Sequence, residues 1–115
     1  MSNSVNKVIL VGNLGDDPET SEVKSGPMTK LRIATNRSFK DGDGNKQERT
    51  EWHRLTCFGQ SATFAGKYLT KGRKVYVEGR LETSKYADPG GGKDRFSTEV
   101  IVEEIKALDA NPNGN

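Results

Sequence analysis

The sequence predicts an all-β domain, a barrel of five strands with one short helix between the third and fourth. Apolar and polar residues alternate over the runs 5–14, 28–38, 50–58, 73–84 and 95–105, each rich in β-branched or aromatic residues. Turn-forming clusters separate these runs: Asp16-Asp17-Pro18, Ser25-Gly26-Pro27, residues 41–46 and residues 88–93. The period changes once. Between Ser61 and Thr70, the residues Phe64, Ala65, Tyr68 and Leu69 recur at helical spacing, and Gly72 follows as a stop signal.

Five strands with one helix after the third is the layout of the OB-fold, a partly open Greek-key barrel. We place the domain at residues 1–108 and the start of a flexible tail at residues 109–115, which are rich in Asn, Pro and Gly. A chain of 115 residues leaves no room for a second domain. Its hydrophobic content is 31%, which forecasts a thin core and favours gaining stability by self-association. The 18 basic and 16 acidic residues nearly cancel, so charge alone permits nucleic-acid binding without announcing it.

The third strand carries the functional signal. Side chains alternate across a sheet, so Trp52, Arg54, Thr56 and Phe58 share one face, and His53, Leu55 and Cys57 share the other. Leu55 and Cys57 suit a barrel interior. The opposite face then presents a Trp, an Arg and a Phe to the outside. That combination suits stacking of unpaired bases with a cation for phosphate; a subunit interface or a second small core is the lesser alternative. Leu31 and Ile33 point inward on the second strand, with Lys30, Arg32 and Ala34 outward. On the fourth strand Val75, Val77 and Leu81 point inward, with Tyr76, Glu78 and Arg80 outward. Phe39 and Tyr86 stand at the bases of polar loops, with Arg37 and Lys40 beside Phe39, Lys85 beside Tyr86, and Arg73 and Lys74 entering the fourth strand. The first strand is apolar on both faces, Val8, Ile9, Leu10 and Val11, so a partner subunit or the chain's own tail is expected to cover the second face.

Catalytic sets are missing from this pattern. One histidine, His53, and one cysteine, Cys57, cannot build a multi-His or Cys-pair metal site. Both fall on the inward face of one strand, about 13 Å apart at ~3.3 Å per residue, too far for a catalytic pair. No phosphate-binding P-loop or Gly-x-Ser-x-Gly elbow occurs. The segment Asp41-Gly42-Asp43-Gly44-Asn45 imitates a calcium loop but has Lys46 at the sixth position and Trp52 at the twelfth, so it reads as a hairpin turn. We expect no enzyme, no cofactor, no metal and no membrane segment. A single cysteine and no signal-peptide pattern point to a reducing compartment.

Several motifs together resemble the bacterial single-stranded DNA-binding proteins. They are Asn6-Lys7-Val8-Ile9-Leu10-Val11-Gly12-Asn13-Leu14-Gly15 with Asp17-Pro18-Glu19, then Thr50-Glu51-Trp52-His53-Arg54, Phe58-Gly59, Tyr68-Leu69-Thr70-Lys71-Gly72 and Val75-Tyr76-Val77-Glu78-Gly79. The resemblance implies sequence-independent binding and protection of single-stranded DNA in replication, recombination and repair, in the cytoplasm at the nucleoid. It implies a homotetramer built from dimers. It places base stacking at Trp52, Phe58, Phe39 and Tyr86, the last two standing where the family commonly has Trp. It places basic contacts at Lys7, Lys71 and Lys85, to which the face pattern adds Arg32, Arg54, Arg73 and Lys74. The oligomer interface is expected at Lys7, Val8, Ile9, Leu10, Val11, His53 and Tyr76. Family members usually continue to an acidic tip that recruits replication and repair enzymes. No such tip is seen before Asn115, so a truncated or tail-less member is expected, and recruitment of those proteins is expected only with a longer tail. An OB-fold scaffold that buries Trp52 and Phe58 against another protein is the alternative.

Overall fold

The computed structural model describes residues 3–87 and 90–109. Asp88 and Pro89 of the expected fourth turn, and the expected tail after Asp109, lie outside these residues. The elements run β1 (Val8–Leu14), β2 (Glu19–Val23), β3 (Gly26–Lys40), β4 (Lys46–Phe58), α1 (Gln60–Tyr68), β5 (Lys74–Tyr86) and β6 (Arg95–Ala107). The sheet order is β1-β5-β6-β4-β3-β2, and a further β1–β3 pairing at Asn13–Ala34 and Leu14–Ile33 closes β1, β5, β6, β4 and β3 into a barrel. The five-stranded barrel and the position of the helix match the expectation from sequence.

One strand is additional. β2, Glu-Thr-Ser-Glu-Val, is exposed along its whole length and has no apolar alternation to announce it. It forms because Gly26, with φ of 116°, turns the chain back so that Val23 faces Gly26 and Ser21 faces Met28. β2 lies at the edge of the sheet, outside the barrel ring.

The alternation on β3 and β4 sets the core. Leu31, Ile33, Leu55 and Cys57 are buried, with Val75, Val77, Val100 and Val102 from β5 and β6. Burying each large aliphatic side chain contributes about 1.5–3 kcal/mol. Helix α1 closes one end with Ala62, Ala65 and Leu69. A threonine relay ties the helix to the sheet: Thr29 Oγ1 donates to the Ala62 carbonyl at 2.7 Å and lies 2.9 Å from Thr20 Oγ1.

Two inward or outward assignments need correction. Leu81 follows the inward parity of Val75 and Val77 but is exposed, because the β1–β5 ladder ends at Gly79 and β1 no longer flanks β5 beyond it. Thr56 follows the outward parity of Trp52 but is buried, flanked by Lys30 of β3 and Ile101 of β6. A bulge explains a third irregularity. Glu78 faces Glu104 and Gly79 faces Val102, which leaves Glu103 as an extra residue. Parity on β6 flips there, so Val102 and Ile105 both pack on the core.

Gly79 sits at this bulge, where a Cβ would overlap the Ile101 carbonyl and crowd the Val100 side chain. Gly79→Ala is expected to destabilise the fold by about 1–3 kcal/mol, the usual cost of overpacking. A denaturant midpoint measured beside wild type checks this; equal midpoints would refute it.

Candidate nucleic-acid interface

The ladder between β3 and β4 runs without a slip from Met28–Phe58 to Lys40–Lys46. Two rows of side chains follow from it. Trp52, Arg54 and Phe58 stand on the outer row, with Arg32 and Lys30 as cross-strand neighbours. Trp52 is 50% exposed and Phe58 42% exposed, so neither ring lies in the core. Along the strand they are about 20 Å apart. Beside this row lies a cleft of ≈ 560 Å³, lined among others by Lys30, Arg32, Arg54, Thr56, Ser97 and Glu99. Asp16 and Asp17 of the β1–β2 loop also line it. The cleft lining is therefore of mixed charge, with Lys30, Arg32 and Arg54 beside Asp16, Asp17, Glu19 and Glu99.

The two remaining aromatics are not gathered on that row. Phe39 is half-buried and falls on the opposite face of the β3–β4 ribbon, in the row that begins with Leu31 and Ile33. Arg37 stands 5.4 Å from its ring centroid. The turn at the tip is stapled by Asp41, whose Oδ1 accepts from the backbone N–H groups of Asp43 and Asn45 at 2.9 Å. These bonds, that from Asn45 foremost, hold the Asp41 carboxyl below the usual range. The loop that imitates a calcium site is thus a hairpin turn. Tyr86 is exposed at the end of β5, facing Arg95.

The cations divide into engaged and open. Lys7 pairs with Glu78 at 3.1 Å and Lys85 with Asp94 at 3.0 Å. Arg32 donates through Nε and Nη2 to Asp16 Oδ2, at 2.8 and 2.6 Å. Arg54, Lys71 and Lys74 are exposed and make no ion pair with another described residue. Arg73 is only 7% exposed. Its guanidinium binds Asp109 Oδ1 at 2.7 Å and the Tyr68 carbonyl at 3.1 Å, so it fastens the end of β6 to the helix end and is not presented to a ligand. The expected phosphate contact at Arg73 is corrected accordingly.

β1 shows the two-faced pattern expected of it. Val8 and Leu10 pack against the core, while Ile9 is 56% and Val11 45% exposed. Val11 faces Tyr76 and Ile9 faces Glu78 across the β1–β5 ladder, which makes one apolar patch edged by the Lys7–Glu78 pair. His53 is half-buried with Nε2 2.9 Å from Thr35 Oγ1. Burial pushes the Cys57 thiol up to about 12, which leaves it without thiolate at neutral pH. Among the described residues, no three His, Cys, Asp or Glu side chains are grouped to hold a metal.

Two residues of the site escaped the sequence reading. Gly15 bears directly on the six-membered ring of Trp52, where any Cβ would collide with it. Asp16 engages Arg32 beside that ring. Both lie in a stretch that announces only a turn.

A closed OB-fold barrel with aromatic rings and cations on its outer sheet defines an oligonucleotide-binding type of domain. The sequence pattern of the single-strand binding protein family matches residues 5–108. The single-stranded DNA-binding protein 1 of Chlorobaculum tepidum is 44% identical over 115 residues, covering 99% of this chain and 71% of the relative. The single-stranded DNA-binding protein of Xanthomonas axonopodis pv. citri is 48% identical over 109 residues, covering 94% of this chain but 60% of the relative. Among solved structures, a Plasmodium falciparum SSB in complex with ssDNA superposes with a TM-score of 0.83 at 30% identity, covering 95% of this chain and 99% of that one. A deletion mutant of the Thermus aquaticus single-stranded DNA binding protein gives 0.78 at 31% identity, covering 91% of this chain and 51% of that one. The chain belongs to the single-strand binding protein family.

Two outcomes follow from the Arg73–Asp109 pair and from the buried Cys57. The Arg73 guanidinium, with the Lys74 N–H, holds the Asp109 carboxyl below its ordinary value of 3.8. A depressed carboxyl stabilises the fold above its unfolded pKa, and that contribution is lost as pH falls through the folded value. Asp109→Asn is therefore expected to lower the thermal midpoint at pH 7 and to shrink the loss of stability below about pH 4. A mutant that loses as much stability on acidification as wild type refutes the assignment. Cys57 is expected to resist a thiol reagent in the native protein and to react fully in denaturant; rapid native labelling would contradict its burial.

Proposed function

We propose that this chain binds single-stranded DNA without sequence preference and protects it during replication, recombination and repair. The observation that carries this reading is the exposure of Trp52 and Phe58 on one outer row, with Arg54 between them and a cleft alongside. Unpaired bases stack on such rings at about 1–3 kcal/mol each, whatever their identity. Duplex binds poorly because its bases are already stacked and paired. Arg54, Lys71 and Lys74 supply open charges along the path. Lys7, Arg32 and Lys85 join only by exchanging a carboxylate for a phosphate. Tyr86 extends the path along the β5–β6 hairpin, and Phe39 is reached by a strand that passes over the edge of the β3–β4 hairpin.

Self-association belongs to the same proposal. The Ile9, Val11 and Tyr76 patch needs a cover, and a second copy pairing through β1 supplies one; a tetramer is a pair of such dimers. Lys7, Val8, Leu10 and His53 lie at or behind that face. The setting proposed is the cytoplasm, at the nucleoid. Recruitment of other replication and repair proteins is proposed only for a chain with a longer tail; the matched stretch spans 60% and 63% of the two Xanthomonas relatives.

The test uses the single tryptophan of the chain. Adding poly(dT) is expected to quench Trp52 emission, with affinity falling as salt rises at a log-log slope of about −0.7 per phosphate neutralised. Trp52→Ala is expected to weaken binding of a fluorescent oligo(dT) at least roughly tenfold, in line with the loss of one stacked base. Its mass in solution should equal that of wild type. Unchanged binding by Trp52→Ala would reject the stacking role of that ring, and wild-type emission that does not respond to poly(dT) would favour the protein scaffold instead.

A further inference from the structure

The ring at the centre of this surface is not bare. Arg32 lies diagonally across the ladder from Trp52, and its guanidinium carbon stands 4.9 Å over the indole centroid. Two of its nitrogens converge on one oxygen of Asp16. The loop bearing that carboxylate is anchored in turn. The Gly15 N–H donates to the Arg32 carbonyl at 3.0 Å, and the Gly15 backbone rests against the indole. Carboxylate, guanidinium and ring thus form one preset assembly.

A carboxylate and a phosphate ask the same thing of arginine, two charge-assisted hydrogen bonds. Asp16 occupies on Arg32 the place a backbone phosphate would take. The pair is half-exposed on both sides, so its own strength is small and its partners can exchange. We propose that Asp16 is an internal competitor of the DNA phosphate. It holds Arg32 over Trp52 in the free protein, and the guanidinium must leave it before a nucleotide settles on the ring. Asp16 thereby sets the affinity and the salt dependence of the Trp52 subsite. This rests on the single-stranded DNA reading above.

The sign of one substitution decides the matter. Asp16→Asn keeps the shape and removes the charge. It is expected to tighten oligo(dT) binding about two- to fivefold, the range set by an exposed ion pair. The log-log salt slope should steepen by about 0.7, one further phosphate. In an Arg32→Ala background the same substitution should leave the slope unchanged and give a smaller gain. Free-state Trp52 emission should shift in Asp16→Asn and in Arg32→Ala, since both disturb the cation above the ring. Asp16→Ser serves if the amide variant does not match wild type in thermal midpoint.

Weaker or unchanged binding by Asp16→Asn overturns the proposal, because a carboxylate that positions Arg32 for DNA gives that result. Equal gains and equal slope changes with and without Arg32 also overturn it, reducing Asp16 to plain charge repulsion. Wild-type chain that fails to bind oligo(dT) removes the parent reading and this one with it. Wild-type binding with an unresponsive Asp16→Asn removes this one alone.

Discussion

The register of β3 against β4 is the constraint on which the rest depends. Thirteen facing pairs follow one another without a bulge. A slip of one residue would turn Trp52 and Phe58 into the barrel and expel Leu55 and Cys57. The apolar inner row, Leu31, Ile33, Leu55 and Cys57, makes that slip costly, since it would strip two buried β4 side chains from the core and leave Leu31 and Ile33 without them. The core therefore enforces the surface: rings point outward because their neighbours in sequence must point inward.

β1 completes the enclosure by serving two partners. It pairs with β5 along its length and with β3 only at its end, where Leu14 is held from both sides. The Leu14 N–H donates to Arg73 and its carbonyl accepts from Gly72, both at 2.9 Å. The same closure delivers Gly15 and Asp16 to Trp52 and Arg32. Barrel topology and the composition of the binding face are in this way one arrangement, reached through the last residues of β1.

Period-two alternation made the five barrel strands legible, and the shift to helical spacing at Phe64 and Leu69 made α1 legible. β2 was not, because it carries no apolar row and exists by virtue of the Gly26 turn. The Glu103 bulge was hidden for a related reason: a parity change inside a strand leaves Val102 and Ile105 looking like an imperfect repeat. Candidate rings could be named from sequence, but the row each occupies could not be ignored; Phe39 shares its parity with Ile33, opposite to Trp52. Charges were the least readable. Lys7 meets Glu78, Arg73 meets Asp109 and Arg32 meets Asp16 across separations that only the fold determines. A count of basic residues could not tell an occupied guanidinium from an open one.

The barrel's seams are unequal. Against the long β3–β4 ladder, the parallel joint between β4 and β6 consists of Leu55–Val100 and Thr56–Ile101. The Thr56 hydroxyl is buried there without a partner among the described residues. Because Arg54, Thr56, Ser97 and Glu99 line the cleft above it, this two-pair seam lies beneath the groove, and the core side chains Leu55 and Val100 hold it shut.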